Sequence, residues 1–444
     1  MRKLLFLLLF PLLTLSCDNE PHSSGNFPPN PQDSTGCTER TRTVLIYMAA
    51  QNSLAAYPYF HQADSAEIVR GIRYIPTNCQ IALFIDDNHA PRLYRLTSDQ
   101  PQPILLEQWT KDINSTNPKH FQTILERVKK TCPSEEYGLV MWSHADGWIP
   151  ATDTIYDRYE RGSITPAPRQ QPFSFGIDCG PNGNLNNDGT QLNTVDLAHA
   201  IERTGMHFEF IFFDACLMQN LEVAYDLRHV TDYLVAAPIA TPGAGSNYTN
   251  DIRRGFFSTD PADIARTYLS DVTNPDYIND YGDFGLTIAC LRTDRMETLA
   301  QTLKQALPNT PFKSTPPMAW TDSTGSHRVL AYQPYTSAYY YRPHNYDALQ
   351  ALRHLLPAEH FAPVKQALNE AVVFYGSTPK VWVGPGYYTF LTVPVDTKDY
   401  RGVSLFIPQI IYSQKAEYTP HGDLNEAFRQ TEWYRAAGFD QLNW

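Results

Sequence analysis

The chain has 444 residues, 42% of them hydrophobic and 13% aromatic, and a formal net charge of −12. So much apolar material builds a sizeable core, roughly two to three domains' worth by length, and excludes disordered, collagenous and coiled-coil classes. The acidic balance excludes the basic footprint that a nucleic-acid binder needs to neutralise phosphates.

Residues 1–16 read as a cleaved signal peptide: Arg2 and Lys3 precede LLFLLLFPLL, an apolar run too short to span a bilayer of about 30 Å. The run ends in Thr14-Leu15-Ser16-Cys17, which resembles the lipobox of bacterial lipoproteins. That resemblance implies lipidation at Cys17, export across the inner membrane, and attachment to the cell envelope through lipid alone. An ordinary secretory signal that leaves Cys17 unmodified is the alternative. Loss of Arg2 and Lys3 takes the formal charge from −12 to −14, a bias toward cationic partners. Residues 17–42 are polar and rich in Pro, Gly and Ser, which reads as a flexible tether.

Globular patterning begins at Arg42. Thr43–Ala50, Gln80–Asp86, Tyr137–Trp142, Phe208–Phe213 and Asp232–Ala237 are short apolar runs, each expected to be a strand buried on both faces. Helix-like stretches lie between them at Pro58–Gly71, Pro118–Cys132, Thr194–Arg203 and Leu217–Arg228. Strands alternating with helices predict an α/β fold with a mostly parallel sheet covered on both sides. Beyond Pro275, Phe284–Leu291 and Gly402–Pro408 read as strands, and Arg295–Leu307, Tyr346–Leu356 and Pro363–Tyr375 as helices. The loop from Ile149 to Phe173, broken by Pro166, Pro168 and Pro172, has the length of a functional or disordered segment.

Metalloprotease, phosphate-loop, serine-hydrolase and Cys-x-x-Cys motifs are all missing. Reactive groups of open α/β sheets sit past the C-terminal ends of strands, and two strand ends carry suitable residues. One delivers Ser143, His144, Ala145 and Asp146; the other delivers Asp214, Ala215 and Cys216. A helix starting close behind Cys216 is expected to lower its pKa, with His144 as proton partner. Taken singly, Cys216 reads as a small buried hydrophobe, His144 as a hydrogen-bonded loop histidine and Asp214 as a helix cap. Two such residues at strand exits favour a nucleophile and base.

The stretches TVLIYMAAQNSL, LVMWSHADGW and FFDACLMQNLEVAYDL resemble the main blocks of the clostripain family of cysteine peptidases, relatives of caspases, legumain and gingipains. FGIDCGPNGNLNNDGTQLNTVDLAHAI, the Tyr248 region and RGVSLFIP resemble its later blocks, so the likeness runs from Thr43 to Trp444. The resemblance implies a caspase-like three-layer sandwich at 43–280, completed by an α/β C-terminal region at 281–444. It further implies a cysteine endopeptidase with His144 and Cys216 as its dyad, and Asp214 as the S1 acid that selects Arg or Lys at P1. The Ala145 N–H would help hold the oxyanion, at a position where the family usually has glycine.

The family is often matured between its His and Cys blocks, which makes Arg158, Arg161 and Arg169 candidate self-cleavage sites; an exposed loop kept soluble by arginines is the alternative. Family members often carry acidic residues after the fifth strand, whereas Ala236 to Tyr248 contains none. Asn184, Asn186, Asp188 and Gly189 echo a calcium loop without its terminal Glu, so they read as a polar turn and assign no metal ligand. Some relatives use calcium, which leaves it an optional cofactor. The expected partners are protein or peptide substrates with a basic P1, with the membrane reached only through lipid. A non-catalytic lipoprotein that binds peptides or glycans on the same scaffold stays open, given 27 tyrosines, as does a peptidase with a non-basic P1. With Cys17 and Cys216 assigned, five of the seven cysteines remain, and that odd number implies a further free thiol.

Overall fold

The computed structural model describes residues 39–150, 174–181, 185, 189–274, 285–307, 329–332, 345–382, 390–392, 400–408 and 424–442. Cys17, Arg158, Arg161, Arg169, Asn184, Asn186 and Asp188 lie outside them.

The elements in chain order are β1 (Arg42–Ala49), α1 (Phe60–Gly71), β2 (Gln80–Asp86), β3 (Arg92–Leu96), β4 (Ile104–Gln108), α2 (Pro118–Thr131) and β5 (Glu136–Trp142). Next come β6 (Phe175–Asp178), β7 (Thr190–Leu192), α3 (Thr194–Thr204), β8 (Phe208–Asp214), α4 (Leu221–Asp226), β9 (Thr231–Ala236), α5 (Tyr248–Arg254) and α6 (Ala262–Val272). They are followed by β10 (Thr287–Arg292), α7 (Met296–Ala306), β11 (Tyr346–Asp347), α8 (Ala348–Leu355), α9 (Ala358–Ala371) and β12 (Val372–Ser377). The described chain ends with β13 (Lys380–Trp382), β14 (Phe390–Thr392), β15 (Ser404–Leu405), α10 (Leu424–Arg429) and α11 (Glu432–Ala436).

Nine strands form one sheet in the order β12-β10-β9-β8-β5-β1-β2-β3-β4. The central five, β9 to β2, pair in parallel, whereas β10 and β12 at one end and β3 and β4 at the other are antiparallel. The α/β class with a largely parallel central sheet is thus what the molecule has. Alternation along β1 shows why its whole run is apolar: Leu45, Tyr47 and Ala49 enter one core and Val44, Ile46 and Met48 the other. The first core is closed by Phe121, Ile124 and Leu125 of α2 and Leu197 and Ile201 of α3. Ile68 of α1, Ile252 of α5 and Ile264 of α6 close the second.

Several expected elements differ, and the strand expected at Gly402–Pro408 is confined to Ser404–Leu405, paired with β11. Helix α4 spans only Leu221–Asp226, because Leu217 adopts φ 63° and Asn220 supplies the cap by accepting from the Val223 N–H. The helix predicted at Pro363–Tyr375 is displaced toward the N-terminus. Helix α9 starts at Ala358 and holds Pro363 inside it, while Val372–Ser377, rich in β-branched and aromatic residues, forms edge strand β12. Tyr346 and Asp347, expected as helix, form β11 instead. Strands β3 and β4 were not anticipated, since their mixed polar runs show no full apolar face.

Candidate active site

Parallel pairing of β5 with β8 sets the site's geometry. Trp142 stands opposite Asp214 in the register, and His144 and Cys216 each follow two residues later. Adjacent strands lie about 4.8 Å apart, so the imidazole and the thiol leave the sheet edge level with one another. The two exit loops are drawn together at Gly147, which has φ +77°: a Cβ there would stand 2.6 Å from Asn220 Nδ2 and 2.9 Å from the Leu217 carbonyl oxygen.

The His144 loop is held from beneath. Ser143 Oγ donates to the Ala49 carbonyl (2.7 Å), and Asn52 Nδ2 reaches Ser143 Oγ (3.2 Å), the Ala49 carbonyl (2.8 Å) and the Ile177 carbonyl (2.9 Å). Next along the chain, Ser53 Oγ lies 2.9 Å from His144 Nε2. Burial pushes the His144 pKa down to about 4, so the resting ring is neutral at pH 7. Among the described residues, the hydrogen bond of this ring goes to Ser53 rather than to Cys216.

Ala145 bridges Phe175 of β6, with the Gly176 N–H donating to the His144 carbonyl and the Asp146 N–H to the Ser174 carbonyl. The Ala145 N–H is not used by that ladder. The left-handed turn of this loop falls at Gly147, and Ala145 is not among the positive-φ residues, so alanine is accommodated where the family usually has glycine.

Cys216 is half-buried. Its Sγ accepts from the Thr241 N–H at 3.3 Å and lies 3.7 Å from Thr241 Oγ1. Burial raises the thiol pKa, Asp146 and Asp214 add to the rise, and the Thr241 hydrogen bonds offset only part of it. The expected lowering by a helix behind Cys216 is therefore corrected. Helix α4 begins five residues later and has only six residues, so its N-terminus is remote from the sulfur. The residue between, Leu217, is a non-glycine at φ 63° whose N–H donates to the Ile239 carbonyl, a strained backbone of the kind found at functional sites.

Asp214 is 5% exposed. Its Oδ2 accepts from the Ser246 N–H (3.1 Å) and the Tyr248 hydroxyl (3.0 Å), while buried Oδ1 has no partner. Burial pushes its pKa up to about 6 against the pull of those two donors. Gly245, at φ +60°, passes so close that a Cβ would stand 2.5 Å from Oδ2. Asp214 caps no helix. Two acids from α1 share its surroundings: Asp64, which accepts from Trp142 Nε1 at 2.7 Å, and Glu67, which accepts from the Tyr248 N–H at 2.9 Å. The missing acids after the fifth strand are thus matched by carboxylates from another element.

Sequence reasoning missed Ser53, Thr241 and Gly245. None carries a motif of its own, because all three act through the loops that tertiary pairing brings beside β5 and β8. Among the described residues no group of three or more His, Cys, Asp or Glu side chains is arranged to hold a metal ion. Among the described residues, Cys132, Cys216 and Cys290 are free thiols. No described helix is long and apolar enough to cross a membrane.

Comparison with solved structures finds the same architecture. A secreted C11 cysteine protease from Bacteroides thetaiotaomicron, in complex with an irreversible peptide inhibitor, is 25% identical with a TM-score of 0.69; the match covers 90% of this chain and 99% of that one. An inactive zymogen C11 protease from Parabacteroides distasonis is 26% identical with a TM-score of 0.67, over 89% and 97% of the two chains. No curated protein sequence matches. The clostripain family model matches residues 46–161 and 183–433, segments that carry both strand exits. The chain belongs to the clostripain family of cysteine peptidases.

Proposed function

We propose that this cysteine peptidase is an endopeptidase that cleaves after Arg or Lys, with Cys216 as nucleophile, His144 as its proton partner and Asp214 as the P1-selecting acid. The observation that supports this reading most is the juxtaposition at the sheet edge: thiol and imidazole level on adjacent strands, beside a buried carboxylate with one oxygen unpaired. A guanidinium or ammonium entering beside Asp214 would fill that vacant Oδ1 with a charge-assisted hydrogen bond. Asp64 and Glu67 place two further carboxyls near Asp214, both with pKa values raised by burial, which an entering cation would favour in the ionised form.

The resting pair is neutral. Substrate binding aligns the ring with the thiol; Sγ attacks the scissile carbonyl carbon as its proton passes to His144. The oxyanion is held by the backbone N–H groups of Cys216 and Ala145. The imidazolium gives its proton to the leaving amine, and the C–N bond breaks to leave a thioester. Water, deprotonated by His144, then attacks the thioester, and the sulfur departs with the proton restored.

Cys17 is the proposed lipid anchor of an envelope protein, with residues 17–42 as tether, 43–280 as the peptidase domain and 281–444 as the region that completes the fold. Maturation by cutting after Arg158, Arg161 or Arg169 is the proposed route to full activity. A single intact chain with full activity would refute it. Calcium is tested by chelation, which leaves activity unchanged if the ion is not required.

Incubating wild type and Cys216→Ala with peptides that carry Arg, Lys, Asp or Leu at P1 tests the function. Thiol-dependent cleavage after Arg and Lys by wild type alone is expected. Cleavage after Leu but not Arg would remove the role of Asp214, and cleavage of none would favour the binding-lipoprotein alternative.

A further inference from the structure

Six large apolar or aromatic side chains are exposed among the described residues, among them Tyr57, 85% exposed, and Tyr59, 46% exposed. Their rings meet edge to face, with centroids 6.0 Å apart at 87°. Tyr59 is held in the left-handed region (φ 64°, ψ 52°), an unfavourable conformation for an aromatic residue. Its backbone is fixed on both sides. The Tyr59 N–H donates to the Ala56 carbonyl at 2.6 Å, and its own carbonyl accepts from the Gln62 N–H at 2.9 Å and the Ala63 N–H at 3.3 Å.

The pair is tied to the active site at both ends. Four residues before Tyr57, Ser53 contacts the His144 ring. One residue after Tyr59, the Phe60 ring fills the space where a Cβ of Gly243 would lie, 2.6 Å away. Gly243 stands between Thr241, whose N–H reaches Cys216 Sγ, and Gly245, which lies over Asp214. The segment that carries the rings is therefore flanked by a contact to His144 on one side and by packing against the loop that borders the nucleophile and the acid on the other, with the Tyr59 backbone held in place.

We infer that Tyr57 and Tyr59 form a substrate subsite flanking the P1 pocket, which takes a large aliphatic or aromatic side chain of the peptide. The inference rests on the proposed basic P1 specificity and adds a second determinant. Two perpendicular rings present both a face and an edge, the geometry that aromatic and aliphatic groups pack against. Two exposed rings that receive a peptide side chain cost little ordering entropy on binding, since each has two side-chain torsions and the Tyr59 backbone is already held.

The test uses full-length wild type and a Tyr57→Ser/Tyr59→Asn variant; asparagine tolerates the left-handed conformation at position 59. Peptides share Arg at P1 and carry Gly, Leu, Phe or Asp in turn at P4, P3, P2 and P1′. Wild type is expected to favour Leu or Phe over Gly about tenfold in kcat/KM at one of these positions, chiefly through KM. In the variant that ratio falls to near one, with an unchanged melting temperature showing that the fold is intact. A wild-type profile that is flat at every position, or a preference that survives in the variant, overturns the inference while the P1 reading stands. A variant that changes oligomeric state with its preference intact assigns the rings to self-association and also overturns it. No cleavage after any basic residue removes the P1 reading, and the subsite with it.

Discussion

Ser53 is the side chain whose role is least visible in the sequence and most direct in the structure. By engaging His144 Nε2 at 2.9 Å it holds the ring's orientation in the resting site. Ser53→Ala should lower kcat about tenfold, leave KM nearly unchanged and shift the acid limb of the kcat pH profile; Ser53→Thr should restore much of the loss. Asp214 offers a sharper contrast. Asp214→Asn should cost about 10–100-fold in kcat/KM for Arg or Lys at P1, the equivalent of roughly 1.5–3 kcal/mol for a charged hydrogen bond, with little change for Leu. Because its carboxyl is pushed up to about 6, KM for a basic P1 should fall as pH rises through about 6 and level off above it, as the acid ionises. The placement of His144, Cys216 and Asp214 at the ends of β5 and β8 was legible in the sequence because each comes at the end of an apolar run. Ser53, Thr241 and Gly245 were not, since the exits of β1 and β9 meet those of β5 and β8 only after the sheet assembles.

At the level of elements, what the site demands is that two loops stay in step. Gly147 makes this close approach with φ +77° and no room for a side chain. Gly147→Ala should destabilise the protein by about 2 kcal/mol and reduce kcat more than KM, as measured by thermal unfolding and steady-state kinetics. The strands that carry the site, β1, β5 and β8, were readable as continuous apolar runs because both faces of each are buried. Helix α4 was read too long because Leu217 and Met218 are apolar in a pattern that suits a helix. The positive φ at Leu217 and the Asn220 cap override that pattern. Edge strand β12 was absorbed into a preceding helix for a similar reason: Val372, Phe374 and Tyr375 continue the apolar content, and only β-propensity distinguishes them.

Across the whole molecule, buried carboxyls set the response to pH. Burial pushes Asp178 and Asp214 up to about 6, Glu67 and Asp226 to about 7, and Glu222 to about 8. Asp87 runs the other way, its burial outweighed by hydrogen bonds from Arg92 and His61. A carboxyl whose folded pKa is raised binds more protons folded than unfolded, so its contribution is complete below about 4 and declines as pH rises through the folded value. The melting temperature should therefore be higher near pH 5 than at pH 8, and Glu222→Gln should narrow the difference. The C-terminal part belongs to the same architecture. Strands β10 and β12 extend the sheet, the Phe406 N–H donates to Glu222 on α4 at 2.8 Å, and Trp148, four residues after His144, packs against Phe406 and Phe428. The general α/β architecture was legible from the alternation of elements, whereas this long-range buttressing was not, because it depends on pairs separated by hundreds of residues. The most direct measurement of the central claim is covalent labelling of the full-length protein by a thiol-reactive peptide ketone with Arg at P1, mapped by mass spectrometry. One adduct is expected, on Cys216, slowed by Asp214→Asn and by a Leu at P1. Labelling spread over the other cysteines, or equal rates for Arg and Leu reagents, would contradict it.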